Sequence, residues 1–162
     1  MTRKWLIFSV NPGGVLRLKP SIMNSALFSD INWLAVLVGG LAYFMLGALW
    51  YSALFKNAWI RLSGVNMSDP NAKKGVAQIM MASFVLMIVA SIGMGILITR
   101  IGSSGWMTGL KIGLIAGLCF SATSISISYL YEKRPLGLHL INGLYNTFGC
   151  VLAGIIIAVW PK

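Results

Sequence analysis

The sequence predicts an all-α membrane protein, with four transmembrane helices in an up-down bundle. Three observations carry that prediction: a composition too apolar for water, four apolar runs of bilayer length, and tryptophans at the ends of those runs. Of the 162 residues, 57% are hydrophobic and 10% charged, against about 25% charged in a soluble domain, and mean hydropathy is +0.81. A soluble fold of this size has no interior large enough to hide that surface, so lipid tails are the expected solvent. Backbone polar groups in lipid must be satisfied internally, which leaves helices or a closed barrel. The apolar runs are continuous rather than alternating, and that pattern selects helices.

The chain divides into a basic tail over 1–30 and a four-helix transmembrane domain over 31–160. In the tail, Trp5 to Val10 is an apolar run shorter than the core of a signal peptide, with no small-residue cleavage site after it. Asn11-Pro12-Gly13-Gly14 is a turn signal, followed by Arg17 and Lys19. The tail reads either as an interfacial segment or as a stretch upstream of a natural start at Met23.

A hydrocarbon core of about 30 Å takes about 20 helical residues at 1.5 Å each. The expected helices cover 31–55, 70–99, 106–131 and 136–160. Their apolar runs contain no Asp or Glu, and their one basic residue, Lys111, lies near enough to a helix end to snorkel. Trp33 and Trp50 bracket the first helix, Trp106 opens the third and Trp160 closes the fourth, positions expected of interface anchors. Between the first two runs, Trp59, Ile60 and Leu62 stand among Lys56, Arg61, Lys73 and Lys74, a mixture suited to lying on headgroups. Ser68-Asp69-Pro70 has the form of a capped helix start, which places the second helix's first residue at 70. The linkers at Arg100 to Gly105 and Glu132 to Pro135 permit tight hairpins.

The net charge of +10 arises from thirteen Lys and Arg against three acids. Because the basic residues lie almost entirely between apolar runs, the expected partner is the lipid bilayer, not nucleic acid. The first and third linkers carry Lys56, Arg61, Lys73, Lys74, Lys133 and Arg134; the other side carries Arg3, Lys4, Arg17, Lys19, Arg100 and Lys162. With the tail counted, the positive-inside rule is tied. Without it, the first and third linkers become cytoplasmic in a plasma (inner) membrane. Cys119 and Cys150 fall inside apolar runs and read as free, small hydrophobes.

Two patterns in the last two helices suggest specific contacts. Gly109, Gly113, Gly117 and Ser121 recur every four residues, a small-residue face for close packing within the bundle or between protomers. Asn142, Asn146, Cys150, Gly154 and Ala158 recur likewise, with His139 just before them. Counting outward from the Glu132 to Pro135 hairpin pairs Ser128 with His139, Ser124 with Asn142 or Gly143, and Ser121 with Asn146. The result is a candidate intramembrane polar seam, either structural glue or a site for a polar solute or a proton relay. No paired carboxylates, clustered metal ligands, nucleophile elbow or phosphate loop occur, so no enzyme activity, catalytic residue, metal or cofactor is expected.

Ile31-Asn32-Trp33-Leu34-Ala35, Leu46-Gly47-Ala48-Leu49-Trp50-Tyr51-Ser52, the spaced Lys56, Trp59 and Leu62, and Ile141-Asn142-Gly143-Leu144-Tyr145 together resemble a bacterial and fungal membrane family, domain of unknown function 1761. The resemblance runs from Ile31 to Trp160. It implies a small multi-pass membrane protein and brings no activity or catalytic residues. The tail from Met1 to Ile22 departs from the family's pattern, which favours the later start. The leading functional expectation is a non-enzymatic protein acting by helix-helix association, as a homo-oligomer or an accessory subunit of a larger complex. The alternative is a small dimeric transporter or channel for a polar solute.

Overall fold

The computed structural model describes residues 8–10, 16–18, 28–65 and 74–161. The chain forms two compact units, Met1–Ile31 and Asn32–Lys162. In the first, β1 (Phe8–Val10) pairs antiparallel with β2 (Leu16–Leu18), Phe8 opposite Leu18. The turn signal between them lies outside the described residues.

The second unit is helical, and four of its helices are long and apolar enough to cross a membrane. Helix α1 (Trp33–Leu54) starts on Asn32, whose side-chain oxygen accepts from the Ala35 N–H at 3.0 Å. That contact satisfies one of the donors left open at a helix N-terminus. The last turn of α1, Trp50–Leu54, is a wide π-turn, closed by the Phe55 N–H on the Trp50 carbonyl at 2.9 Å. Helix α2 (Lys56–Ser63) follows and ends on Gly64, at φ 73°. Helix α3 (Val76–Ile101) begins later than the expected residue 70. Lys74 and Gly75 form a turn, and the positive φ of Gly75, 80°, breaks any helix entering from before it. The Ser68-Asp69-Pro70 cap lies outside the described residues. Helix α4 (Trp106–Tyr131) has a π-helical centre, Ile115–Ala122, and α5 (Leu136–Val159) is regular throughout.

The bundle is built around α5, which packs against α1, α2, α3 and α4. Glycines set the closest approach. A Cβ on Gly113 would lie 2.5 Å from the Val151 Cα, and one on Gly117 would lie 2.5 Å from the Thr147 Cα. One on Gly109 would strike the Gly154 carbonyl. The glycine face of α4 is therefore used inside the chain, against the backbone of α5. On the other side, Gly39 and Gly40 admit α3, and the buried Ser91 hydroxyl donates to the Val36 carbonyl at 2.7 Å. Outward faces carry Met81, Leu86, Phe120 and Leu130, all well exposed, as helices solvated by lipid require.

The tryptophans divide. Trp33 and Trp106 are exposed at their helix starts and Trp160 is half-buried. Trp50 does not act as an exposed anchor: it is buried, its indole N–H donates to the Ile141 carbonyl at 3.1 Å, and its ring packs on Phe55 and Phe148. A buried indole needs an acceptor for its single donor, and α5 supplies one.

A tyrosine–asparagine cluster beside a cavity

Asn142 and Asn146 stand one turn apart on the face of α5 turned toward α1. Their partners are tyrosines. The Tyr51 hydroxyl donates to Asn142 Oδ1 at 2.7 Å, and Asn142 Nδ2 donates to the Tyr129 hydroxyl at 2.7 Å. The Tyr43 hydroxyl donates to Asn146 Oδ1 at 2.6 Å, while Asn146 Nδ2 returns to the Asn142 carbonyl at 2.8 Å. Three helices thus meet on two amides. Amide oxygens and nitrogens deep in an apolar bundle are costly unless bonded, and among the described residues no buried side-chain polar atom lacks a partner.

The aromatic rings are themselves fixed. Tyr145 packs against Tyr43 and Tyr51, with centroids at 5.5 and 5.1 Å. Gly149 leaves the space for Tyr43, since a Cβ there would overlap its ring.

The expected serine seam is only partly present. Ser121 lies half-buried beside Cys150, while the Asn146 side chain is bonded to Tyr43 and to the Asn142 carbonyl. Ser124 and Ser128 are exposed, and the Ser128 hydroxyl bonds back to the Ser124 carbonyl at 3.3 Å. His139 is buried, with its ring edge-on to Tyr129 and Nε2 3.3 Å from the Arg134 carbonyl. It secures the α4–α5 turn and is not among the residues lining the cavity. The cause is the π-helical centre of α4. An α-helix turns about 40° past a full circle every four residues. A segment with more residues per turn offsets that drift, so Gly109, Gly113, Gly117, Ser121, Ile125 and Tyr129 stay on the inner side while Ser124 and Ser128 turn away.

Alongside the cluster lies a cavity of about 660 Å³. Tyr51, Tyr129, Asn142 and Asn146 form one wall and Ile79, Met80 and Ser83 of α3 the other, with Trp59 and Arg134 at one end. It exists because α3 meets α4 along Trp106–Leu114, near their shared linker, and separates from it beyond. A second cavity of about 500 Å³, lined by Phe44, Gly47, Ala48 and Met87, adjoins the first and shares Tyr51, Met80 and Ser83 with it.

The tyrosines were the members of this cluster missed in the sequence, because they score with the aromatic, apolar majority. The signal available was their hydroxyls: Tyr43 and Tyr51 lie in the same helix and carry polar tips in runs otherwise nearly free of them.

No curated protein and no solved structure matches the chain significantly. A family profile does, over residues 34–158, a span that holds all four long helices nearly whole, the cluster and both cavities. The chain therefore belongs to the family described as "Protein of unknown function (DUF1761)".

Proposed function

We propose that the chain is a non-enzymatic, multi-pass membrane protein that binds a small polar solute beside Asn142 and Asn146, as one unit of a carrier or channel. One observation carries this reading: the amides that tie the helices together also line a cavity, where amides serving only as glue would be closed in by packing. Cavities of several hundred Å³ with a few convergent polar groups are the usual form of small-molecule sites. The bonded tyrosines and asparagines still hold unused amide hydrogens and lone pairs for a solute.

In this reading α2 and the α4–α5 turn lie on the cytoplasmic side of a plasma membrane, because Lys56, Arg61, Lys74, Lys133 and Arg134 gather there. The cavity then opens toward the cytoplasm, beside Arg134. Association is an addition to this function rather than its basis. The glycine face that suggested it is occupied by α5, but four helices enclose only part of a pathway, and a second protomer or a larger complex would complete it.

The test is accessibility. In a background carrying Cys119→Ser and Cys150→Ala, Ser83→Cys is expected to react with a membrane-impermeant thiol reagent far faster than Leu86→Cys on the outer face of α3. Equally slow reaction at both positions would remove the polar cavity and with it the solute reading.

A further inference from the structure

The polar cavity and the apolar cleft are contiguous, and their arrangement resembles a lipid's own order of head and tail. We propose that together they bind one long-chain carboxylate, with its head beside Arg134 and Tyr129 and its chain in the cleft between α1 and α3. The proposal rests on the reading of the polar cavity as a binding site, puts a carboxylate head in the place given there to a small polar solute, and extends the site into the apolar cleft.

Head chemistry follows from the donors. Asn142 donates into the Tyr129 hydroxyl, whose own proton is taken by no described residue, so the chain of hydrogen bonds ends in a donor. Arg134 lines the same cavity, and none of its described lining residues is an acid. A site that presents donors and a guanidinium selects an oxygen-rich anion. The guanidinium is single, its Nε already bonds Glu132 at 3.0 Å, and one terminal nitrogen donates to the Ser63 carbonyl at 3.5 Å. One partly engaged cation matches a monoanion better than a phosphate monoester carrying close to two charges.

Tail chemistry follows from the cleft. Phe44, Gly47, Ala48 and Met87 offer an apolar channel whose flexible methionine and small Ala48 suit an alkyl chain. Met80 and Ser83 belong to both cavities, so no wall divides head from tail. Arg134 precedes α5, while Asn142 lies about 9 Å of helix beyond Leu136. A ligand with its head near Arg134 thus points its chain toward the middle of the bundle, as a membrane lipid does.

Equilibrium binding of radiolabelled palmitate to the full chain in phosphatidylcholine nanodiscs tests this, with empty discs as reference. Saturable binding near one per chain is expected. Ala48→Trp, which fills the cleft from its exposed side, should weaken it about tenfold or more, and Arg134→Gln about tenfold, as for loss of a charged hydrogen bond. Palmityl alcohol should be less affected by Arg134→Gln than palmitate, and acetate should not compete. Palmitate uptake equal to that of empty discs, or uptake indifferent to Ala48→Trp, means annular lipid only and overturns the proposal. If that happens while Ser83→Cys still reacts with the impermeant reagent, the ligand class is wrong and the polar cavity stands. If neither result is obtained, both readings fall.

Discussion

Tyr43 and Tyr51 make the same hydrogen bond to the same kind of acceptor, yet the loss of each should be felt differently. Side-chain hydrogen bonds between membrane helices average about 0.6 kcal/mol and rarely exceed about 1.7, so their surroundings decide the cost. Both amides line the cavity, so the difference lies with the tyrosines: Tyr51 is half-buried and lines the cavity too, and water can replace its hydroxyl. Tyr43 is 3% exposed, wedged against Gly149 and not among the residues lining either cavity, so no water reaches the place its hydroxyl would leave beside Asn146 Oδ1. Tyr51→Phe is expected to lower unfolding stability by under about 1 kcal/mol, and Tyr43→Phe by about 1–3 kcal/mol, the range for a stranded buried acceptor. Unfolding of the purified protein by graded SDS in mild detergent measures both, and the reverse order would show that the cavity does not hydrate Asn142. At this scale the sequence was half legible. Asparagine announces itself in an apolar run because it has no apolar reading. Tyrosine hides, since only one atom in its side chain is polar, and its reach lets it bond a helix that no local spacing identifies.

Helices α4 and α5 show what spacing does and does not disclose. The four-residue repeat of Gly109, Gly113 and Gly117 was legible as a close-packing face, and α5 lies on it with backbone against backbone. The pairing of serines was not legible in the same way, because counting at α-helical pitch carries an error through Ile115–Ala122 that turns Ser124 and Ser128 outward. The wide turn has no marker in residue type; it arises from the advantage of keeping small residues and Tyr129 on α5. The beginning of α3 was misplaced for a different reason: a local cap signal at 68–70 competes with Gly75, whose left-handed backbone sets the start. Glycines themselves provide the test at this scale. Gly113→Ala places a methyl 2.5 Å from the Val151 Cα, a backbone atom that moves only with the whole helix. It should cost about 1–3 kcal/mol, as overpacking does, and reduce folded yield. Gly93→Ala in α3 meets nothing within 4 Å and should be neutral or stabilising by up to about 1 kcal/mol, through helix propensity. Thermal unfolding of the two variants in detergent checks this, and equal effects would mean that α4 and α5 are not in backbone contact.

For the whole molecule, the four long helices put Ser63 and Glu132 at one end of the bundle and Ser104 at the other, and four crossings would set those ends on opposite faces of a membrane. Each of these residues sits at a helix end: Ser63 closes α2, Ser104 lies in the α3–α4 linker, and Glu132 caps α4. The up-down order was the most legible property of the chain, because the length and polarity of its apolar runs answer to bilayer thickness and to little else. Which face is cytoplasmic depends instead on a small surplus of charge. The α2 helix and the α4–α5 turn together carry Lys56, Arg61, Lys133 and Arg134, whereas the α3–α4 linker is preceded by Arg100 alone. Single cysteines introduced as Ser63→Cys, Glu132→Cys and Ser104→Cys, in the background without Cys119 and Cys150, separate the two questions. In intact cells an impermeant reagent should label Ser104→Cys, and it should reach the other two only after permeabilisation. Labelling of Ser63→Cys and Glu132→Cys alone would keep the bundle but invert it, so that the cavity beside Arg134 opened outward and drew its ligand from outside the cell. Labelling that divided those two positions between opposite faces would be incompatible with α3 and α4 both crossing, and would remove the architecture on which the cavity depends.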